Sequence, residues 1–178
     1  MSGIVVVGAG QAGSSCVAKL RSLGFEGRIT LIGSEPVPPY QRPPLAKAYL
    51  LGQMALDRLV FRPPAYYDEH DINLRLGCKV SRIDPAVRQV HLVDGAISYD
   101  HLVLTTGSAP RRLPAAIGGA LAGVYGVRTL ADVDAMAPEF QPGRRVLIVG
   151  GGYIGLEAAS VAAKLGLTVT LVEMADRI

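Results

Sequence analysis

The sequence has no tryptophan, and aromatic residues make up only 6% of it. Stacking platforms of the kind that hold single-stranded nucleic acid are therefore scarce. Charge of one sign is missing too: 18 Lys and Arg stand against 15 Asp and Glu, a net of +3, and Arg111-Arg112 and Arg144-Arg145 are the only adjacent basic pairs. A nucleic-acid footprint needs a clustered basic face, so that class of partner is excluded. The two cysteines, Cys16 and Cys78, form no C-x-x-C and no ligand cluster. Each reads as a small apolar residue in a reducing setting. His70, His91 and His101 are too dispersed for a metal site. No stretch reaches the roughly 18 uninterrupted apolar residues of a membrane span. The amino terminus is expected to enter a strand almost at once, and no basic, cleavable leader is expected. The expected setting is cytoplasmic, with no membrane contact and an oligomeric state left open.

Glycine and aliphatic residues are plentiful. Of 178 residues 21 are glycine, 49% are hydrophobic, and mean hydropathy is +0.31. That is enough to bury a core and fill one domain, or one and part of a second. The glycines are placed with purpose. Val5-Val6-Val7-Gly8-Ala9-Gly10-Gln11-Ala12-Gly13 is a β-branched run followed by G-x-G-x-x-G and a helix-period segment from Ser14 to Leu23. This order is the dinucleotide-binding fingerprint. Gly8 allows the tight turn, Gly10 lets backbone approach a pyrophosphate, and Gly13 lets helix and strand pack closely. The pyrophosphate rests on the free N–H groups at the helix start. The design returns at Val146-Leu147-Ile148-Val149-Gly150-Gly151-Gly152-Tyr153-Ile154-Gly155, with the three glycines and the later Leu-Gly pair at one constant offset. The repeat makes the motif specific and predicts two dinucleotide sites.

Each fingerprint calls for an acid about 20 residues on, at the end of the next strand, to accept from ribose hydroxyls. Glu173 follows Val172 directly, and a carboxylate there disfavours a 2′-phosphate, so NADH is expected over NADPH; Arg177 close by pulls the other way. In the first unit Gly33-Ser34-Glu35 puts the acid two residues late, leaving Glu35, helped by Ser34, as the ribose acceptor, with a solvated loop charge as the alternative.

Periodicity and breakers place the remaining elements. Parallel strands are expected over Gly3–Gly8, Arg28–Ile32 and His101–Thr105. Cys16, Val17, Leu20 and Leu23 should face inward from the first helix. Five prolines between 36 and 44 exclude a sheet strand there, and a short helix is expected from Pro44 towards Leu51. Another begins at Pro63-Pro64 and holds Tyr66, Tyr67 and His70. Asn73–Leu76, Cys78–Ile83, Gln89–Val93 and Ala96–Tyr99 read as strands, with Asp94-Gly95 as a hairpin turn. Tyr125–Val127 reads as a short strand. Thr129 caps a helix from Leu130 to about Met136, with Asp132 and Asp134 at its favourable end. Gln141-Pro142-Gly143 is the linker before the second unit.

The segment Tyr40-Gln41-Arg42-Pro43-Pro44-Leu45-Ala46-Lys47-Ala48-Tyr49-Leu50 resembles the corresponding stretch of FAD-dependent ferredoxin reductases, the putidaredoxin reductase and aromatic-dioxygenase reductase type. Leu104-Thr105-Thr106-Gly107-Ser108-Ala109-Pro110, Val127-Arg128-Thr129-Leu130 and Gly150 to Glu157 agree with it, so the resemblance runs over the whole chain. It implies an α/β, Rossmann-like flavoprotein fold with two dinucleotide sites and a small antiparallel meander inserted. Residues 1–110 would be the first segment of the FAD domain, 111–143 a crossing, and 144–178 the start of the NAD domain. It implies FAD on Gly8, Gly10, Ala12 and Gly13, Arg42 and Lys47 near the flavin, Val80 reading adenine through its backbone, and Thr106, Gly107 and Arg128 close by. It implies NADH on Gly150, Gly152, Tyr153, Ile154 and Gly155, with Glu157 at the nicotinamide side. The implied activity carries electrons from NADH through FAD to a ferredoxin that feeds an oxygenase, with no side chain acting as acid or base. Residues 33 to 51 hold no cysteine, which speaks against thiol chemistry, and Ala46 stands where the family usually has serine. Alternatives are a related reductase with another acceptor (rubredoxin, a quinone, a nitrite reductase module, or an apoptosis-inducing-factor-like role) and a non-catalytic dinucleotide-binding module. The resembled family is more than twice as long, so the chain is expected to be a fragment that binds FAD weakly and turns over poorly alone.

Overall fold

The computed structural model describes residues 3–176; Arg177 lies outside them. The chain forms two compact units, one from residues 1–41 and 60–108, the other from residues 42–59 and 109–178.

The first unit is built on β1 (Gly3–Val7), α1 (Gln11–Ser22) and β2 (Arg28–Ile32). β1 is buried along its whole length, which explains its unbroken apolar sequence. It pairs in parallel with β2 on one side and with a strand from much later in the chain on the other. Between them come α2 (Leu56–Leu59), which belongs to the second unit, then α3 (Pro64–Glu69) and β3 (Ile72–Arg75). An antiparallel meander follows: β4 (Arg82–Asp84), β5 (Gln89–Leu92) and β6 (Gly95–Ser98). β7 (His101–Leu104) then returns to the parallel sheet, giving the order β3-β2-β1-β7. This α/β arrangement, with β1 flanked by its successor and by a late-arriving strand, is the Rossmann-like beginning the sequence implies.

Alternation along β1 divides the core in two. Ile4 and Val6 pack with Val17, Ile29, Leu31, Tyr67 and Ile72. Val5 and Val7 face the other way, against Ile32, Val90 and Leu92. One face of the sheet is covered by helices, the other by the meander. Polar bonds tie β1 and β7 at both ends. Gly3 N–H donates to the Asp100 carboxylate at 2.5 Å, and Thr105 N–H donates to Val7 O at 2.8 Å.

Arg21 closes the connection after α1. Its guanidinium donates to the carbonyls of Phe25, of Gly27 at 2.8 Å, of His70 at 2.7 Å and of Asp71 at 2.8 Å. The α1–β2 turn and the α3–β3 turn, distant in sequence, therefore share one cation.

The second unit contains a helical segment, Leu45–Tyr49, then α4 (Leu130–Met136), β8 (Arg145–Val149), α5 (Tyr153–Lys164) and β9 (Thr168–Val172). Thr129 and Asp132 form a reciprocal capping box at the start of α4, as the Thr-x-x-Asp spacing suggests. β8 and β9 pair in parallel around α5, repeating the β1-α1-β2 design.

Five sequence expectations need correction. Leu23 is 71% exposed rather than inward, because α1 has ended and Leu23 is its C-terminal cap. Residues 78–81 are not strand: Cys78 N–H bonds Gly33 O and Gly77 N–H bonds Glu35 O, so this stretch lies along the loop after β2. Tyr125–Val127 is irregular and Tyr125 is exposed, since no neighbouring strand accepts it. The helix after Pro44 is not regular: Lys47, at φ −129° and ψ −110°, breaks it. The hairpin also sits one residue early, with Leu92 opposite Gly95.

Candidate dinucleotide-binding sites

The two outer glycines of the first fingerprint answer to the fold itself. Gly8 has φ +115°, and a β-carbon on it would lie 2.1 Å from the Thr105 carbonyl oxygen. A β-carbon on Gly13 would lie 2.0 Å from the Gly8 carbonyl oxygen. Gly10 differs: nothing lies within 4 Å of the place a β-carbon would take. The middle glycine keeps open a space that the protein does not use. α1 begins there with no side-chain cap and no acid in its first turn, while Lys19 and Arg21 occupy its last turn. The first N–H groups and the positive end of the helix dipole are thus left for an anion.

A cavity of about 400 Å³ adjoins the loop. Gly8, Ser34, Val80 and Thr106, named separately from the sequence, line it together. Gly107 follows Thr106 with φ +71°, and Ala12 is exposed on the first turn of α1. Cys78 also lines the cavity, its thiol donating to Leu76 O at 3.3 Å; the sequence reading treated it only as an apolar residue. Glu35 is not among the lining residues. Its carboxylate accepts from the Tyr40 hydroxyl at 2.6 Å. The two-residue displacement of this acid has a steric cause. A β-carbon on Gly33, the counterpart of Glu173, would meet the Ala9 β-carbon at 2.6 Å. No side chain fits where the second unit carries its carboxylate.

A buried polar group stands beside the first helix. Ser14 Oγ lies 3.2 Å from the Tyr67 hydroxyl and accepts from Arg62 at 3.1 Å, and the Arg62 guanidinium covers the Tyr66 ring. Burial pushes the Tyr67 hydroxyl up, partly offset by Ser14 and Arg62, so it stays protonated.

The second loop repeats most of this geometry. Gly150 has φ +109°, though a β-carbon on it would meet nothing within 4 Å; a β-carbon on Gly155 would lie 2.0 Å from the Gly150 carbonyl oxygen, and Gly152 is open. α5 starts without a side-chain cap or an acid in its first turn. Tyr153 and Ile154 are exposed at that start. Glu173 is held by the loop's own backbone: Gly151 N–H donates to Oε2 at 2.5 Å, and Met174 and Ala175 N–H donate to Oε1 at 2.8 and 3.0 Å. These bonds, Gly151's first, hold its carboxyl below the ordinary glutamate range. A depressed folded-state pKa stabilises the fold above the unfolded value and loses that contribution as pH falls through the folded one. The carbon-13 titration of the Glu173 carboxyl should therefore have its midpoint below that of a peptide glutamate. A midpoint at or above the peptide value would show that the loop does not hold it.

Lys47 and Glu157, predicted from separate stretches, meet: Nζ and Oε1 are 2.8 Å apart. The pair is exposed enough to add less than about 1 kcal/mol of stability, so its interest is chemical. Arg42 donates to the Arg128 carbonyl at 2.7 Å, and Arg128 N–H donates to Asp132 at 3.2 Å. Tyr49 donates to Asp134 at 2.7 Å; that bond, then burial and the Asp134 charge, raise the Tyr49 hydroxyl to about 12, so it remains a donor. Thr105 reads from the sequence only as the end of a strand, not as a site residue, although it stands next to Thr106. Its hydroxyl reaches Gly8 O at 2.8 Å and Val7 O at 3.2 Å. Among the described residues no group of three or more His, Cys, Asp or Glu is placed to hold a metal. No helix among them is long and apolar enough to cross a membrane.

Residues 2–178 match the model of the pyridine nucleotide-disulphide oxidoreductase family. Over 98% of its length the chain is 47% identical to a ferredoxin–NAD(P)(+) reductase of Sphingomonas sp, and it covers 42% of that protein. It is 46% identical to rhodocoxin reductase of Rhodococcus erythropolis, again over 98% of the chain and 41% of the relative. Among solved structures, the covalent putidaredoxin reductase–putidaredoxin complex superposes with a TM-score of 0.94 at 41% identity, covering 99% of this chain and 43% of the matched one. The chain thus spans about two fifths of the length of these relatives. Two Rossmann-like glycine loops and a match along nearly every residue lead to one statement: the chain belongs to the pyridine nucleotide-disulphide oxidoreductase family.

Proposed function

We propose that the chain is part of a cytoplasmic reductase that passes electrons from NADH through FAD to a small iron–sulfur protein of the ferredoxin type. The carrying observation is the doubled loop. In the first copy both outer glycines are closed by packing; in the second Gly155 is closed and Gly150 answers only to its φ of +109°; in each the middle glycine is open and the helix start is uncapped. That is a cradle for a diphosphate, twice. The flanking groups fit different nucleotides. The first loop has the cavity with Gly8, Ser34, Val80 and Thr106 for FAD. The second has the Glu173 carboxylate, which favours an unphosphorylated ribose and hence NADH. The name of the relative at 47% identity supports the ferredoxin-type acceptor. A water-forming NADH oxidase of Lactobacillus brevis is similar at only 26% identity, which makes dioxygen the less favoured acceptor.

FAD, when bound, supplies hydride acceptance and one-electron release. The residues bind and orient. The α1 and α5 N-termini hold phosphates. Glu157, placed by Lys47, stands on the first turns of α5, where the nicotinamide end of a dinucleotide on the second loop is expected. No side chain is required as a general acid or base.

The test is flavin titration of the chain, followed by anaerobic mixing with NADH and with NADPH. The expected results, for a chain that spans about two fifths of its relatives' length, are a weak but saturable flavin site and slow bleaching, faster with NADH than with NADPH, with any onward transfer going to a ferredoxin rather than to a quinone. Glu157→Gln should slow the bleaching while shifting stability by less than about 1 kcal/mol. Flavin uptake without any reduction by NADH would favour a non-catalytic dinucleotide-binding module.

A further inference from the structure

We propose that Thr105, outside both fingerprints, is the positioning residue that aims the first glycine loop and so sets its affinity for a dinucleotide diphosphate. This rests on reading that loop as the FAD cradle. Thr105 follows the last residue of β7, and its hydroxyl reaches the Gly8 carbonyl at 2.8 Å across 97 residues of sequence. Its N–H holds the neighbouring Val7 carbonyl at 2.8 Å. The peptide joining Gly8 to Ala9 is planar and trans, so its N–H points opposite to its C=O. A hydroxyl that fixes the carbonyl therefore fixes the direction of the Ala9 N–H, away from Thr105.

The second loop shows that this peptide needs a holder. There the corresponding amide, Gly151 N–H, is gripped from its other end by Glu173. The first loop has no room for that device, because a side chain at Gly33 would collide with Ala9. One copy is held by its amide and the other by its carbonyl. Only the carbonyl grip leaves the amide of the loop unclaimed by a neighbouring carboxylate of the Glu173 kind. Contact also favours Thr105 as the holder: its Oγ1 lies 3.0 Å from the position of a β-carbon on Gly13, so the hydroxyl sits at the crossing of strand, loop and helix.

The experiment compares Thr105→Val, which keeps the branched shape without the hydroxyl, Thr105→Ala, which avoids any methyl crowding, and Thr105→Ser, which restores the hydroxyl. Two readouts are taken: amide hydrogen exchange of the chain without flavin, and affinity for FAD and for ADP. Valine and alanine should both speed exchange at Gly8, Ala9 and Gly10 roughly five- to tenfold, leave the β4–β6 meander unchanged, and weaken FAD and ADP by a similar factor. Serine should stay within about twofold of the parent, since the hydrogen bond is kept. Unchanged exchange in the valine and alanine variants overturns the proposal. So does acceleration spread evenly over the sheet, which would mark a purely structural role, or a serine variant that behaves like valine. If the parent takes up neither FAD nor ADP, the cradle reading and the affinity claim both fail, while exchange alone still decides whether Thr105 holds the loop.

Discussion

Replacing Gly13 by alanine should destabilise the first unit by about 3 kcal/mol or more, whereas replacing Gly10 by alanine should leave stability within about 1 kcal/mol and yet abolish dinucleotide uptake. The two residues belong to one motif and differ in what surrounds them. A β-carbon at position 13 would sit 2.0 Å from the Gly8 carbonyl oxygen and 3.1 Å from Leu31 Cδ1. The oxygen is backbone at the end of a fully buried strand, so neither side can yield cheaply. At position 10 the new methyl meets nothing within 4 Å in the protein. Its only conflict is with a ligand lying on the loop. Urea unfolding and flavin titration of the two variants separate these effects. A Gly10→Ala chain that binds FAD like its parent would remove the ligand from that space. A Gly13→Ala chain of parental stability would mean that α1 can move off β1.

Arg21→Met should cost about 2–3 kcal/mol, and Arg21→Lys should recover less than half of the loss. The guanidinium bonds four backbone carbonyls from two turns. Methionine keeps much of the stem and loses every donor, so each carbonyl without water access is left unsatisfied at about 1 kcal/mol or more. Lysine brings a single point donor, which cannot span a fork of four acceptors. The second copy of the motif supports this reading. Ala163 stands at the position of Arg21, and there the connection from helix to strand is residues 165–167 against residues 23–27 in the first copy. The longer turn exposes carbonyls, and Arg21 answers them. Thermal unfolding of the three variants checks the order Arg, Lys, Met. Equal stability of lysine and arginine would mean that charge alone suffices.

The parts of the fold that could be read in the sequence are those that local chemistry decides. Unbroken apolar runs gave the parallel strands, and Thr129 with Asp132 gave the start of α4, because each signal lies within a few residues. The stretch 78–81 was misread because its β-branched and polar alternation suits a strand, while its amide at Cys78 is taken by Gly33, on a loop far back in the chain. Leu23 was misread because helical periodicity was carried one residue past the end of α1. In the candidate sites, the glycines and Glu173 were legible from spacing. Thr105, Tyr40 and Arg62 were not, because each acts on a partner brought close only by the sheet or by a loop crossing. The absence of an acid at position 33 was visible, but its cause, the Ala9 methyl, needed coordinates.

The burial of β1 on both faces has a consequence for the order of folding. A strand with one wet face has its register set by polarity, since a slip of one residue would drive apolar side chains into water. β1 has no wet face, and sliding Val5, Val6 and Val7 past their neighbours exchanges valine for valine. What distinguishes the correct alignment is polar and lies at the two ends: Asp100 on the Gly3 amide and Thr105 on the Gly8 carbonyl. Both belong to the chain immediately around β7, about as far from β1 as the first unit extends. Closing so long a loop is slow. The β1–β2 pair, tied at its end by Gly8 N–H on Ile32 O at 2.8 Å, is expected to form before β7 arrives, and β7 then checks its alignment with a polar stop at each end.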